Sequence, residues 1–170
     1  MMTLYQLIKS DSKRYNPQRG ILYTYLFKRE FRYVFWLRCV NYYKKHKFFR
    51  YTITPPMYLI LKHLEYKYGI HMNTNIEIGP GLMVVHGGSV YINVSKIGAY
   101  FTIYQDVTLG ANQLREIPEV KDNVRIYPGA KIFGKLVLED NSIIAANAVV
   151  TKDVPANTTV MGIPAKPKNK

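Results

Sequence analysis

A strict six-residue spacing between positions 120 and 154 is the feature that most restricts the fold of this sequence. A branched aliphatic residue occupies every sixth position, and a small or apolar residue follows each one by four positions. A helix repeats about every 3.6 residues and a strand about every 2, so neither explains the pattern. A six-residue repeat is typical of a parallel β-helix, in which short strands form flat faces and the chain turns a corner in each hexapeptide. The twelve positions are Val120, Ile126, Ile132, Leu138, Ile144 and Val150, with Val124, Ala130, Leu136, Ser142, Ala148 and Val154.

The same spacing extends toward the N-terminus as far as Ile70, with a change of phase between Leu82 and Ile97. At roughly three hexapeptides per coil, residues 70–165 make about five coils. A single coil cannot bury its own side chains, so such a chain is stable only when neighbouring coils stack. The sequence therefore predicts an all-β solenoid, a parallel β-helix of hexapeptide repeats with an α-helical segment before it.

A second change of phase, between Leu109 and Val120, predicts a loop. The intervening residues QLREIP are too polar and irregular to continue a strand, so we expect a loop extruded from a corner at 111–119. Insertions in a solenoid fall on one face and often form its binding surface. The two changes of phase therefore direct attention to the segment that holds His86.

The N-terminal part of the chain differs in pattern and in charge. Basic residues outnumber acidic ones by 14 to 3 in residues 1–68 but only by 10 to 8 in residues 69–170. Most of the net charge of +13 therefore belongs to the N-terminal part. The spacing of apolar residues predicts helices over 20–47 and 57–68, and Gly69 should end the second. We expect two units, a basic, aromatic helical segment at 1–68 and a β-helix domain at 69–170.

The single cysteine, Cys39, rules out an internal disulfide framework and any cysteine-based metal site. Within its aromatic run we expect a buried, inert thiol. The first ten residues lack a signal-peptide pattern, and no apolar run approaches the ~18–20 residues of a membrane span. We predict a cytoplasmic location, with the inner face of the cytoplasmic membrane as the alternative position.

Among the four histidines, His86 has the setting of a functional residue. It lies before Gly87 and Gly88, which leave open space beside its ring. An imidazole with room for a ligand suits a general base near neutral pH. The alternative is a histidine that only completes a corner of the solenoid, and spacing alone does not separate the two. There is no nucleophile elbow, no HExxH motif and no phosphate-binding loop, so we expect no metal.

Several segments together resemble the left-handed β-helix acyltransferases. They are the hexapeptide run, the VTLG sequence at 107–110 and the closing segments at 149–155 and 162–166. Within that superfamily, residues 68–166 are most similar to the serine acetyltransferases. The resemblance implies left-handed coils and transfer of an acetyl group from acetyl-CoA to a hydroxyl group, without an acyl-enzyme.

The resemblance also implies roles for individual residues. His86 falls on the catalytic histidine, which removes the proton of the acceptor hydroxyl, while backbone N–H groups hold the oxyanion. Three small residues fall at positions where, in this family, the coils lie along the pantetheine arm of coenzyme A. Two residues of the closing segment fall near the nucleotide end of the same cofactor. These cofactor-binding candidates are Ala111, Gly129, Ala146, Gly162 and Lys166. For the small residues, coil packing alone is the alternative.

Two departures from the family's pattern affect the predicted acceptor. Serine acetyltransferases carry an aspartate, paired with the catalytic histidine, at the position of Gly69, and a second histidine at the position of Ile117. Both residues help to hold the amino-acid substrate. The basic N-terminal segment and residues 84–93 are more similar to the enzymes that O-acetylate sugars of bacterial capsule, O-antigen and exopolysaccharide. Tyr91 and Asn93 would then contact the sugar, although packing is an equal alternative.

The sequence therefore predicts an acetyl-CoA-dependent O-acetyltransferase acting on a sugar hydroxyl of a bacterial surface polysaccharide or its precursor. A serine acetyltransferase of cysteine biosynthesis is one alternative, and a non-catalytic solenoid binding module is another.

The resemblance implies a homotrimer with active sites between subunits, so that loop 111–119 reaches a neighbour's His86. The group that orients His86 is left open between a backbone carbonyl and a neighbouring chain. For the N-terminal segment we expect capping and subunit contact first and membrane contact second; no nucleic-acid-binding module is recognisable.

Overall fold

The computed structural model describes residues 2–168 and shows a left-handed parallel β-helix of about five coils behind an α-helical segment. The predicted fold is therefore confirmed. The five helices are α1 (Leu4–Tyr15), α2 (Ile21–Phe27), α3 (Arg29–Tyr43), α4 (Lys47–Thr52) and α5 (Thr54–Tyr68).

The strands form three flat faces; each of the first four coils contributes one strand to each face, and the fifth contributes one to face A and one to face C. Face A contains β1 (Ile70–Met72), β4 (Val90–Ile92), β7 (Thr108–Gly110), β10 (Lys131–Phe133) and β13 (Val149–Val150). Face B contains β2 (Glu77–Ile78), β5 (Lys96–Ile97), β8 (Glu119–Val120) and β11 (Val137–Leu138). Face C contains β3 (Met83–Val85), β6 (Thr102–Tyr104), β9 (Arg125–Ile126), β12 (Ile143–Ile144), β14 (Thr159–Met161) and β15 (Lys166–Pro167).

The hexapeptide pattern coincides with the solenoid core. All twelve positions of the repeat are buried, and Leu136, at 3% exposure, is the most accessible of them. The neighbouring residues along each strand point outward and are more exposed, as in β10, where Ile132 is buried between Lys131 and Phe133. Each aliphatic side chain therefore contacts the equivalent residues one coil above and one coil below, which is where the stability of a stacked fold resides.

The helical segment covers the N-terminal end of the solenoid. Buried apolar residues of α3 and α5, including Leu37 and Leu61, belong to the same core as Ile70 and Leu82 of the first coil. A smaller cluster beneath α1 and α2 contains Cys39, whose thiol is buried and unpaired. Burial raises the pKa of the Cys39 thiol to about 11, which agrees with the predicted inert thiol.

Side chains from the helices bind the backbone groups of the first coil that have no preceding coil to pair with. The Tyr33 hydroxyl accepts a hydrogen bond from Met72 N, and Asp11 Oδ1 accepts one from Leu82 N at 2.8 Å. The Tyr15 hydroxyl accepts from Val84 N and donates to the carbonyl oxygen of the same residue. Because buried backbone groups need partners, these polar side chains are part of the reason that the helices and the solenoid form one unit.

The most buried of these connections is an ion pair. Arg38 donates from Nε to Asp11 Oδ2 at 2.7 Å and from Nη2 to Asp11 Oδ1 at 3.0 Å, and the two side chains are 3% and 0% exposed. The same guanidinium donates to the carbonyl oxygens of Ile78 and Gly79 at 2.7 and 2.6 Å. The pair therefore holds α1, α3 and the first coil together at one point.

The single helix predicted over 20–47 is wrong, because the structure divides this region into separate helices. Lys28 adopts an extended conformation (φ −115°, ψ 103°) that separates α2 from α3, and the chain leaves helical geometry again before α4. The break turns α2 so that Tyr25 packs edge-on against Phe35, with ring centroids 5.1 Å apart. Phe27, which would share the buried face of Phe31 in a continuous helix, is consequently 66% exposed.

The last helix begins earlier than the spacing predicted. Helix α5 starts at Thr54 rather than at 57, because prolines are tolerated in the first turn of a helix, where an N–H has no partner anyway. It ends as predicted at Gly69, which adopts the left-handed conformation (φ 62°, ψ 39°) of a C-cap and donates to the carbonyl oxygen of Glu65 at 2.8 Å. Strand β1 follows at once, so the helix leads directly into the first coil.

Substitution of Gly69 by alanine should destabilise the protein by about 1–2 kcal/mol, because a side chain in the left-handed region carries a steric cost of that size. A Cβ at this position would also lie 3.1 Å from Ser89 N. Gly69→Asn is the matched control, since asparagine tolerates the left-handed region and should lose less stability. Urea unfolding measures both variants, and equal losses would show that the contact with Ser89, not the φ angle, sets the cost.

The C-terminal end of the solenoid is also covered. Strand β15 returns antiparallel along β14, and Val149 N donates to the carbonyl oxygen of Gly162 while its own carbonyl oxygen accepts from Ala165 N. The sequence also predicts a short solvated tail at 167–170, of which Asn169 and Lys170 lie outside the described residues. Within residues 2–168, no helix has the length and apolarity needed to cross a membrane.

Candidate active site

His86 occupies an exposed corner between β3 and β4, at the start of face A. Its backbone is left-handed (φ 62°), and Gly88, two residues later, has φ 113°. Left-handed geometry is uncommon for residues with a Cβ, although histidine is among those that tolerate it. The turn directs the imidazole away from the packed core, and the two glycines that follow add no side chains beside it.

Three hydrogen bonds hold this corner in place. Gly88 N donates to the carbonyl oxygen of Tyr68 at 2.8 Å, and Asp106 N of the next coil donates to the carbonyl oxygen of Gly88 at 2.9 Å. Gly87 N donates to Glu30 Oε1 at 3.3 Å. The Glu30 side chain is only 13% exposed, and Arg29 Nε donates to the same Oε1 atom at 2.7 Å. The first turn of α3 and the end of α5 therefore both support the corner of His86.

Sequence reasoning missed Glu30, although a signal for it was present. Residues 1–68 contain only three acidic residues, Asp11, Glu30 and Glu65. Each of them contacts the solenoid, through Leu82 N, through Gly87 N and through the His71 ring respectively. An acidic residue that is rare within a basic segment could therefore have been singled out as a contact to another part of the fold.

Replacing Glu30 with alanine should free the corner after His86. A backbone hydrogen bond of ordinary strength contributes about 1 kcal/mol, so the Gly87 amide proton should exchange with solvent about fivefold faster. Glu30→Gln keeps a side-chain oxygen as acceptor and should retain most of the protection. Hydrogen exchange followed by NMR measures both; equal exchange in the parent and the alanine variant would show that this contact does not hold the turn.

No carboxylate of the described residues lies within 4.0 Å of a ring nitrogen of His86. Among residues 2–168, the only histidine within 4.0 Å of a carboxylate is His71, whose Nδ1 lies 3.8 Å from Glu65 Oε2. Gly69, which stands where the resemblance places a carboxylate, has no side chain to offer. Nor do three or more His, Cys, Asp or Glu side chains of the described residues surround a point that could hold a metal ion.

Three of the predicted cofactor-binding residues lie along one edge of the solenoid. Gly129, Ala146 and Gly162 occupy successive coils at the corner between faces C and A, below His86. Ala146 and Gly162 are exposed. Gly129 has φ 77°, a left-handed conformation that favours glycine, so the backbone alone already accounts for a glycine at that position. These three residues form a column with little side-chain bulk, which we call the corner column, and the corner of the coil between it and His86 contains Gln105 and Asp106.

The other two cofactor candidates lie apart from this column. Ala111 follows β7 and sits at the opposite edge of face A, and Lys166 lies on β15 at the C-terminal end of face C. Ala111 opens loop 111–119, which Asn112 organises by accepting hydrogen bonds from Leu114 N and Glu116 N. Within one chain, the width of face A therefore separates the loop from His86.

The two predicted substrate-binding residues lie close together on face A. Tyr91 points outward from β4 and is 52% exposed, and Asn93 follows the same strand. Both line a cavity of about 270 Å³ between face A and helix α5. Sequence reasoning did not foresee the helical side of this cavity, because it depends on how α5 docks against the first two coils.

Known proteins share sequence similarity and the fold with this chain. No family model matches the sequence. A serine acetyltransferase of Staphylococcus epidermidis is 43% identical over 100 residues, which make up 56% of this chain and 47% of that protein. The serine acetyltransferase of Neisseria gonorrhoeae, solved in complex with serine, superimposes with a TM-score of 0.78 at 24% identity, over 98% of this chain and 69% of that one. The fold is that of the serine acetyltransferases.

A second structure agrees with the first. The serine acetyltransferase of Brucella abortus in complex with coenzyme A superimposes with a TM-score of 0.77 at 23% identity, covering 96% of this chain and 66% of that one. The chain spans about half the length of the curated relatives it matches. In sequence and fold it is thus similar to hexapeptide-repeat acetyltransferases. The relatives described here are all named for serine, so the predicted closeness to capsule and exopolysaccharide enzymes gains no support from them.

Proposed function

We propose that this chain transfers the acetyl group of acetyl-CoA to a hydroxyl group of its acceptor, with His86 as the general base. The observation that carries the proposal is the exposed imidazole on a glycine-flanked, left-handed corner of a solenoid with the serine acetyltransferase fold. A histidine that only completed a corner would not need its ring in solvent, so the geometry favours the functional interpretation over packing.

The reaction needs two proton transfers, one to the His86 imidazole and one from it. The His86 imidazole takes the proton of the acceptor hydroxyl as that oxygen attacks the thioester carbonyl carbon. The carbon–sulfur bond then breaks, the acetyl group stays on the acceptor oxygen, and the imidazolium returns its proton to the departing thiolate. No acyl-enzyme is required, and within residues 2–168 the one cysteine is buried away from the corner.

The corner column suits a long thiol cofactor. Its exposed positions, Ala146 and Gly162, carry little or no side chain, so an extended arm along the column would meet backbone groups. Such an arm would run below His86, where the thioester is needed. Lys166 is exposed at the C-terminal end, where a lysine could meet a phosphate.

L-serine is the acceptor that the comparisons support, since the relatives and structures described above are named serine acetyltransferases. In that case the chain would serve cysteine biosynthesis. The saccharide acceptor predicted from the sequence has no such support and is the second candidate. A local observation favours it: Gly69 leaves His86 without the carboxylate expected for serine, and a Cβ at Gly69 would approach Ser89 N to 3.1 Å.

A homotrimer with active sites between subunits belongs to the same proposal. Loop 111–119 and His86 lie at opposite edges of face A, so the loop of one copy can contact the corner of another but not its own. Exposed apolar residues of the helical segment, among them Leu22, Phe48 and Leu59, would serve subunit or membrane contact. Membrane contact and the cytoplasmic location stay predictions.

Release of coenzyme A from acetyl-CoA tests the reaction and its acceptor together. The full chain is incubated with acetyl-CoA and either L-serine or neutral methyl pyranosides, and an aromatic disulfide reports the free thiol. Cys39 should add little background, since burial raises its pKa to about 11. Release with L-serine would establish the first acceptor, and release with a pyranoside the second. Binding of acetyl-CoA without release with any acceptor would favour a non-catalytic binding module.

A further inference from the structure

The cavity on face A has two walls of different origin. Helix α5 supplies one wall, and outward residues of the first two coils supply the other. The polar residues that line it are Lys62 and Glu65 from the helix with His71, Asn73, Tyr91 and Asn93 from the coils.

The carboxylate of this cavity is not accessible to a ligand. The Glu65 side chain is 3% exposed and receives a hydrogen bond from Lys62 Nζ at 2.6 Å. The same Oε2 atom lies 3.8 Å from Nδ1 of His71, on β1. Glu65 therefore neutralises Lys62 and anchors the helix to β1, and it leaves no free anion for a ligand's ammonium group.

Apart from Lys62, whose side chain is 38% exposed, the accessible groups are aromatic rings and amides. The His71 side chain is 42% exposed, and the centroid of its ring lies 6.5 Å from that of Tyr91 and 6.5 Å from that of Tyr66. Tyr91 is itself 52% exposed, whereas Tyr66, at 79% exposure, lies beside the cavity and does not line it. Asn93 offers an amide that both donates and accepts hydrogen bonds. Apolar ring faces beside neutral hydrogen-bonding groups complement a pyranose, whose C–H faces are apolar and whose edge carries hydroxyl groups.

The cavity lies within reach of the His86 corner. Tyr91 follows His86 by five residues, which can span at most ~17 Å. The same end of α5 supports both places, because the Tyr68 carbonyl accepts from Gly88 N only three residues after Glu65. A short oligosaccharide can therefore occupy the cavity with one ring and extend another toward the imidazole.

We propose that this cavity is a saccharide subsite, which holds one ring of the acceptor while a neighbouring part of the same molecule presents its hydroxyl to His86. The inference rests on the proposed acetyl transfer and favours the saccharide over L-serine as the acceptor. A zwitterion needs a cationic and an anionic partner, and the one carboxylate in the cavity is buried and already paired.

Ligand-observed NMR on the full chain tests the subsite, with neutral methyl pyranosides and L-serine as probes. At least one pyranoside should bind, and Tyr91→Ala should weaken its binding about tenfold or more, a change of about 1.4 kcal/mol. Tyr91→Phe keeps the ring and should retain most of the affinity. Tyr51→Ala removes a tyrosine that is 77% exposed on α4 and should leave binding unchanged.

The outcomes separate the subsite from the reaction. Absence of pyranoside binding, binding indifferent to Tyr91→Ala, or displacement of the pyranoside by L-serine would each overturn the subsite. Pyranoside binding that depends on Tyr91 without any acetyl transfer would support the subsite and overturn the proposed reaction. Where transfer occurs, Tyr91→Ala should raise the KM for the sugar about tenfold. It should change kcat and the KM for acetyl-CoA little, because Tyr91 is placed away from the corner column.

Discussion

Replacing His86 with asparagine should lower the rate of acetyl transfer by about 10²- to 10⁴-fold, the range that a positioned general base contributes. Asparagine cannot accept the proton of the acceptor hydroxyl, so the attacking oxygen would have to lose its proton to water. Asparagine does tolerate the left-handed backbone found at His86 (φ 62°), and this choice therefore removes the base while keeping the turn. Release of coenzyme A at saturating acetyl-CoA measures the loss.

Two further variants make the result specific to the base. His86→Ala should lose as much activity as His86→Asn and also more stability, since alanine is strained in the left-handed region. His63→Asn changes an exposed histidine on α5 and should leave the rate unchanged. If His86→Asn kept a rate within about threefold of the parent's, a loss far below what a general base contributes, His86 would not be the base.

Replacing Arg38 with methionine should destabilise the protein by about 3–5 kcal/mol, the usual loss when one member of a buried ion pair is removed. The cost is high because the Asp11 carboxylate would remain buried without its counter-charge, and the carbonyl oxygens of Ile78 and Gly79 would lose their donors. A decrease of this size is a large fraction of the stability of a domain. Urea unfolding followed by circular dichroism measures it.

The double variant Asp11→Leu/Arg38→Met separates two causes of the loss of stability: an unpaired buried charge, and the missing hydrogen bonds to the backbone of the first coil. Removing both charges together should cost less than the sum of the single changes, because neither is left unpaired. Stability should still fall below that of the parent, since Leu82 N and the carbonyl oxygens of Ile78 and Gly79 keep no partner. Full recovery of stability would mean that these side chains do not serve the first coil.

A surface pair provides the comparison for the buried one. Lys131 donates to Asp106 Oδ1 at 2.9 Å, but the two side chains are 34% and 63% exposed. Exposed ion pairs contribute about 0–1 kcal/mol, because water already solvates both charges. Lys131→Met should therefore change the free energy of unfolding by at most about 1 kcal/mol, and a loss as large as that of Arg38→Met would contradict the role assigned to burial.

The solenoid could be predicted because its main requirement is local. Each inward position of a narrow coil recurs after six residues and packs against the same position of the next coil, so Val120, Ile126 and Ile132 can be recognised without knowing any distant contact. The corner at His86 was visible for a similar reason, since two glycines follow the histidine directly. The left hand of the coils came from family resemblance, because periodicity carries no handedness.

The helical segment could not be predicted as well, because long-range packing shapes it. Aromatic residues occur on most sides of α3, so the spacing gave no sign of the break at Lys28. The partners of Glu30 and Glu65 lie in the coils, and only the docking of α3 and α5 brings them together. The grouping of Asn93 with Glu65 in one cavity depends on the same docking.

Closure of both ends of the stack has a consequence for assembly. A terminal coil without a cap exposes unpaired N–H and C=O groups. A strand of another molecule can pair with them, and such edges can lead to fibre formation. Here the side chains of Asp11, Tyr15 and Tyr33 bind those groups at one end, and at the other end the short return strand β15, which contains a proline, pairs with β14 on face C. We expect this capping to disfavour head-to-tail stacking of copies, and the proposed contact between the loop of one copy and the corner of another requires contact along their flanks.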